Sequence, residues 1–314
     1  MSACCKHSPR RESPKSTNKY SQTAVFLVID GLRSIEFGTP GESRARLVNF
    51  IVNGNKRATA GLLTDYAKES EPVESVGECL AMVDNEGNHV ATLRVTRVEV
   101  TQFIDVPDEF ALTEAEGDLS AADFRASHSD YWSRIGETVT DETKIVQVYF
   151  ELLTHRLRPL QASDAEWIYH ACQDVEIQRW TKIPRPYTRE HAKSFVVDQN
   201  GELLANAIIN SRTGEPAGVA GIHHIKNGVA TVGYWIAPQA RRAGAASTAL
   251  KILPSSAHRL GDAQTMRAVI AETNVASRAT VERAGFKVAR ASAELCPDGA
   301  NQTHALDYEL TSRR

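Results

Sequence analysis

Apolar and polar positions along this chain fall into two successive series of elements, with a restart near Thr154. In the first series Leu47, Phe50 and Ile51 recur at helical spacing, with Ser43 placed to cap the helix and Gly54 to end it. An extended segment follows over 57–63. Residues 79–83 lead into Asp84-Asn85-Glu86-Gly87, and beyond that turn Leu93 and Val95 alternate with Arg94 and Thr96, the pattern of a hairpin. The acidic stretch 114–118 precedes a helix over 120–134, and 144–153 reads as a closing strand. Short strands with two helices suggest a small barrel-like α+β domain.

The second series opens with a strand over 156–160 and a helix for which Ser163 is the expected cap, with Glu166 at its third position. Another helix starts near Thr188, and strands follow at 203–210, 217–225 and 230–236. Next come a glycine-containing loop and helix, a strand over 265–271, a helix over 275–284 and two last strands, an α/β order. Pro254 falls inside the helix after the loop. An interior proline removes a backbone hydrogen bond at a cost of ~3 kcal/mol, so this helix is expected to end or kink near Leu253.

Length changes the picture to two domains, since 314 residues exceed the usual size of one. The expected division is a tail over 1–22, a domain over 23–153 and a domain over 154–314. The tail carries Lys6, Arg10, Arg11, Lys15 and Lys19 against the single acid Glu12 and has too little apolar surface to order itself. A solvated tail or one that touches RNA both fit. The net charge of −3 gives no whole-chain reason for a nucleic-acid or membrane partner. Cys4, Cys5, Cys79, Cys172 and Cys296 form neither a paired motif nor a zinc spacing, so no metal site is expected. No apolar run is long enough to span a bilayer, and the expectation is a cytoplasmic protein.

The strongest chemical signal is the run from Tyr234 to Ala246, which leaves a strand and enters a helix. Unpaired N–H groups at a helix start, aided by the dipole, favour phosphate. Gly244, with Ala243, Ala245 and Ala246 beside it, lets the backbone approach a pyrophosphate, and Arg241 and Arg242 add charge. A basic helix start with a tolerated glycine would look the same. Thirty residues further, Asn274-x-x-Ser277 opens a helix that ends in Ala284-Gly285-Phe286, directly after another strand.

With Arg241-x-x-Gly244-x-Ala246 and that second strand–loop–helix in order, the second half resembles GNAT acetyltransferases. Arg158-Pro159-Leu160, Gln178-Arg179-Trp180-Thr181 and Pro186-Tyr187-Thr188 are similar to the branch that acts on ribosomal proteins and protein N-termini. The resemblance implies a mixed, splayed central sheet with acetyl-CoA as cosubstrate, inserted between the strands ending at Ile236 and near Ala271. It further implies that a backbone N–H near Ile236 holds the acetyl carbonyl, that amides of Arg241–Ala246 hold the pyrophosphate, and that Asn274 binds the pantetheine arm. Many relatives carry a tyrosine seven residues after this asparagine to protonate the thiolate. Here Val281 stands there, and Ser277 is the substitute expected in this branch, although it could equally cap the helix or face solvent. The base for the amine is open among Glu272, His223 and His224. The two histidines, adjacent on a strand, would point to opposite faces.

In the first half, Gly54-x-Lys56-x-x-Thr59 and Glu114-x-Glu116-Gly117-Asp118, with Glu36–Gly41 before them and His128–Trp132 after, resemble the ASCH domain, a PUA-like β-barrel. Some small ASCH proteins are amidohydrolases acting on N4-acetylcytidine through a lysine, a threonine and a glutamate. The resemblance carries these roles to Lys56, Thr59 and Glu114, with Glu116 as an alternative. The competing reading is a binding module for RNA or nucleotide, in which Lys56 and Arg57 contact phosphate. A bland reading has Thr59 in a strand and Lys56 closing a turn. The expected whole is an acetyl-CoA-dependent transferase acting on an amine, either a protein N-terminus or a small molecule. An amidohydrolase and an acetyl-CoA-sensing RNA-associated protein remain as alternatives.

Overall fold

The computed structural model describes residues 27–311, so the expected tail over 1–22 lies outside the described residues. The chain divides between Leu153 and Thr154 into two compact units.

The first unit runs β1 (Val28–Ile29), β2 (Leu32–Ile35), α1 (Glu42–Val52), β3 (Ala58–Leu62), α2 (Leu63–Glu69), β4 (Cys79–Val83), β5 (His89–Gln102), α3 (Asp108–Glu114), α4 (Ala121–Arg134) and β6 (Lys144–Leu152). Its sheet has the order β1-β2-β4-β5-β6-β3, and of these pairs only β2 with β4 is parallel. Leu47 and Ile51, four apart on α1, pack with Leu80, Leu93, Val148 and Phe150. Phe110 from α3 and Phe124 and Trp132 from α4 build a second cluster with Ala58, Phe103 and Ile145. The unit is therefore α+β.

The cap expected at Ser43 moves. α1 begins two residues earlier behind Gly41, whose φ of +104° suits only glycine and whose N–H donates to Asn85 Oδ1 at 2.7 Å. Ser43 lies inside the first turn. The helices α2 and α3, each of seven residues, were not expected. Glu114, the start of the acidic stretch before the helix expected over 120–134, is the last residue of α3.

The second unit runs β7 (His155–Pro159), α5 (Asp164–Ala171), α6 (Val175–Trp180), α7 (Arg189–Asp198), β8 (Leu204–Asn210), β9 (Pro216–Lys226), β10 (Val229–Ile236), α8 (Ala245–Gly261), β11 (Thr265–Ala271), α9 (Val275–Arg283), β12 (Lys287–Asp298) and β13 (Asn301–Thr311). Its mixed sheet has the order β12-β13-β11-β10-β9-β8-β7, and only β10 with β11 runs parallel.

Two local expectations fail here. Ser163 makes no side-chain cap. Asp164 instead receives Gln161 N–H at 2.7 Å, Trp167 Nε1–H at 2.7 Å and both ends of the Arg158 guanidinium. Pro254 does not end α8, which continues unbroken to Gly261. Leu250, Ile252, Leu253 and Ala257 are all buried on both sides of it. At roughly 1.5–3 kcal/mol per large apolar side chain, that burial exceeds the ~3 kcal/mol proline cost. Thr188 does start a helix: its hydroxyl accepts from His191 N–H while His191 Nδ1 accepts from Thr188 N–H.

Candidate active site

In the second unit, β10 and β11 pair from Val229–Thr265 to Val232–Ala268 and no further. β10 nevertheless runs on to Ile236 and β11 to Ala271, so the two strands splay apart over their C-terminal ends. Ala237 N–H donates across to Ala217 O on β9 at 2.9 Å. Because backbone groups alternate along a strand, those of Tyr234 and Ile236 then face the opposite way, into the gap. The cleft that opens there has a volume of about 1180 Å³, ample for a cofactor-sized molecule.

Beyond Ile236 the chain turns through Arg242, at φ +65°, and Gly244, at φ +83°, into α8. Gly244, Ala245 and Ala246 line the cleft with Arg241 and Arg242, and Ala243 lies outside the lining. The first-turn N–H groups of α8 have no intrahelical acceptor, which makes this end an anion site. Arg241 is less available than its sequence position suggests. Its guanidinium is paired with Asp174, whose other task is to cap α6. That ion pair holds the Asp174 carboxyl below the usual range despite partial burial, which alone would raise it.

Asn274 caps α9, its side-chain oxygen accepting from Ser277 N–H at 3.0 Å. The Ser277 hydroxyl in turn meets the Tyr234 phenol at 2.8 Å. Burial pushes the Tyr234 phenol up, so it keeps its proton at neutral pH. Val281 is fully buried and offers no chemistry. In the sequence Tyr234 is only the start of the strand-to-helix run. Its side chain supplies, from β10, a phenol next to the serine that α9 provides.

The three candidate bases separate. Glu272 is exposed and outside the cleft lining. His223 and His224 both line the cleft, contrary to the opposite-faces expectation. The reason is a β-bulge: Thr231 pairs with His224 and Val232 with Ile222, leaving His223 as the extra residue.

In the first unit, Lys56 is 1% exposed, with Nζ 2.7 Å from Glu116 Oε1 and 3.4 Å from Glu114 Oε1. Burial alone would depress its pKa, but the attraction of Glu114 and Glu116 outweighs that and raises it. Burial pushes the Glu114 carboxyl up, against the pull of Lys56. Its Oε1 also accepts Ala60 N–H at 3.0 Å, and its Oε2 lies 3.4 Å from His128 Nε2. His128, stacked on Phe124 with centroids 3.8 Å apart, is held down to about 4 by burial. Thr59 Oγ1 is buried with no hydrogen-bond partner among the described residues. The expected contact of Lys56 with phosphate fails on burial, whereas Arg57 is exposed.

Residues 33–154 match the ASCH domain family, and residues 155–287 match the acetyltransferase (GNAT) domain family. A search among curated proteins gives no match. Among solved structures, the second unit is similar to RimL, a ribosomal L7/L12 alpha-N-protein acetyltransferase in complex with coenzyme A. That likeness has 22% identity and a TM-score of 0.44, and covers 50% of this chain and 94% of that one. An acetyl transferase from Salmonella typhimurium described as modifying the N-terminal serine of L7/L12 gives 22%, 0.42, 51% and 96% in the same order. An ASCH domain from Lactobacillus crispatus gives 25%, 0.34, 37% and 76%. The chain is an ASCH domain followed by a GNAT acetyltransferase domain.

Proposed function

We propose that the second domain transfers the acetyl group of acetyl-CoA to a primary amine, on a protein N-terminus or a small molecule. The observation that carries this reading is the splay of β10 from β11 beyond Val232 and Ala268, with the N-terminus of α8 at its edge. The outward amide at Ile236 is placed to donate to the acetyl oxygen as it gains charge. The amides of the loop from Arg241 to Ala246 receive the pyrophosphate. Asn274 uses its side-chain oxygen on Ser277 N–H, leaving its amide N–H₂ for the pantetheine arm. Ser277, hydrogen-bonded to Tyr234, protonates the departing thiolate. The test is calorimetric titration with acetyl-CoA, followed by thiol release in the presence of amines. A protein that takes up no acetyl-CoA would sink the reading.

For the ASCH domain the proposed role is binding of RNA or nucleotide rather than hydrolysis of N4-acetylcytidine. The charge state of Lys56 argues against hydrolysis, and the exposed Arg57 beside it is left to meet phosphate. Two buried carboxylates favour the Lys56 cation, and a cation cannot take the proton of the Thr59 hydroxyl.

A further inference from the structure

We propose that His223, held by Glu202, is the catalytic base that takes the proton from the acceptor ammonium; the assignment rests on the acetyl-transfer reading above. The bulge on β9 re-aims His223 into the cleft rather than along the regular pleat. Its Nδ1 is hydrogen-bonded to the Glu202 carboxylate. A carboxylate can only accept, so Nδ1 carries the proton and Nε2 presents its lone pair.

Nε2 lies where a base is needed. A Cβ at position 233 would come within 2.5 Å of it, so the imidazole rests directly on Gly233. Gly233 is the first residue of β10 after the last β10–β11 pair, Val232–Ala268. The lone pair therefore sits at the vertex of the splay, three residues from the Ile236 amide. Besides Tyr234, Arg241 and Arg242, the other ionisable groups lining the cleft from surrounding elements are His224 on β9, Glu176 on α6, Lys182 after it, Arg283 on α9, Glu294 and Cys296 on β12, and Cys172 and Tyr187. Of these His224 contacts Thr231 at 3.3 Å. Glu202 is the hydrogen-bond partner of His223 among the described residues. With the two side chains 44% and 25% exposed, the pair adds little to stability.

The protons balance as follows. One ammonium N–H bond breaks and its proton binds His223 Nε2. The freed nitrogen lone pair forms the C–N bond at the acetyl carbon. The C–S bond then breaks with its electron pair on sulfur, which takes a hydroxyl proton from the Tyr234–Ser277 pair. The second proton of the nitrogen restores that hydroxyl. One proton per turnover leaves to solvent from the exposed imidazole.

The experiment measures thiol release by the full chain with acetyl-CoA and two amine probes, a peptide with a free N-terminal serine and spermidine, as a function of pH. His223→Gln should lower kcat about 100-fold and abolish the rise in rate on the acid side, with acetyl-CoA affinity by calorimetry unchanged. Glu202→Ala, which removes the orienting acceptor, should lower kcat about tenfold without altering KM for acetyl-CoA. A His223→Gln enzyme with wild-type kcat and pH profile would overturn the assignment, as would a loss confined to acetyl-CoA affinity. Wild-type protein that fails to bind acetyl-CoA would instead overturn the transfer reading on which it rests.

Discussion

The hydroxyls of Tyr234 and Ser277 stand 2.8 Å apart, one carried by β10 at the splay and the other by the first turn of α9. Either can donate to the other, so a proton given up by Ser277 can be replaced from the phenol. If this pair protonates the CoA thiolate, Ser277→Ala and Tyr234→Phe should each lower kcat by about 10²-fold, the lower range for general acid help. Calorimetric affinity for acetyl-CoA should stay within a factor of about two in both. A loss confined to affinity would make Ser277 a binding residue.

Gly244 holds φ at +83° in the turn into α8. Valine there is strained by roughly 1–2 kcal/mol and adds bulk where a pyrophosphate approaches the backbone. Gly244→Val should weaken acetyl-CoA binding at least about tenfold, equivalent to 1.4 kcal/mol. Unchanged affinity would remove the loop from the cofactor site.

The boundary between Leu153 and Thr154 predicts independent folding. Fragments 23–153 and 155–314 should each be soluble and show their own cooperative unfolding transition. Aggregation of both, with a well-behaved full chain, would count against two separate cores.

His128 makes the ASCH domain sensitive to acid. Burial holds its folded pKa at about 4, below the ordinary histidine value of 6.5. The unfolded chain therefore binds more protons between those values, and stability falls as pH drops from 6.5 toward 4. A shift of this size corresponds to a loss of up to about 3 kcal/mol. Hydrogen exchange of α4 amides, corrected for intrinsic rates, should accelerate over that window. In His128→Gln the same window should lose most of its effect.

Lys56 decides whether the ASCH domain can hydrolyse an amide. With its cation favoured by Glu114 and Glu116, incubation with N4-acetylcytidine should release no cytidine. Short RNAs should bind with an affinity that falls as salt rises. Cytidine release that vanishes in both Lys56→Ala and Thr59→Ala would reverse this preference.

Much of the second domain was legible because its elements carry periodic apolar faces and local punctuation. Thr188 could be placed as a helix start from its neighbours alone, and Gly244 as a turn. What escaped was set by distant partners. Asp164 displaced Ser163 as the organiser of α5 because Arg158 and Trp167 reach it only in the folded state. The burial along α8 carries the helix through Pro254. A bulge cannot be read from one strand, since it is defined by the register of two. So the orientation of His223 was hidden, as was the meeting of Tyr234 with Ser277 from elements 43 residues apart. In the first domain, the motif residues were visible but not their burial.

The backbone groups that β10 leaves unpaired beyond Val232 amount to a sheet edge kept inside the protein. An edge of this kind accepts any partner offering donors and acceptors at peptide-like spacing, and a neighbouring chain is denied access to it. Recognition written in main-chain atoms is indifferent to most side-chain replacement. Residues facing the rest of the cleft are thus free to be exchanged for a new acceptor without disturbing the grip on the donor. Retargeting such an enzyme is a matter of changing walls, while the seam that holds the cofactor stays as it is.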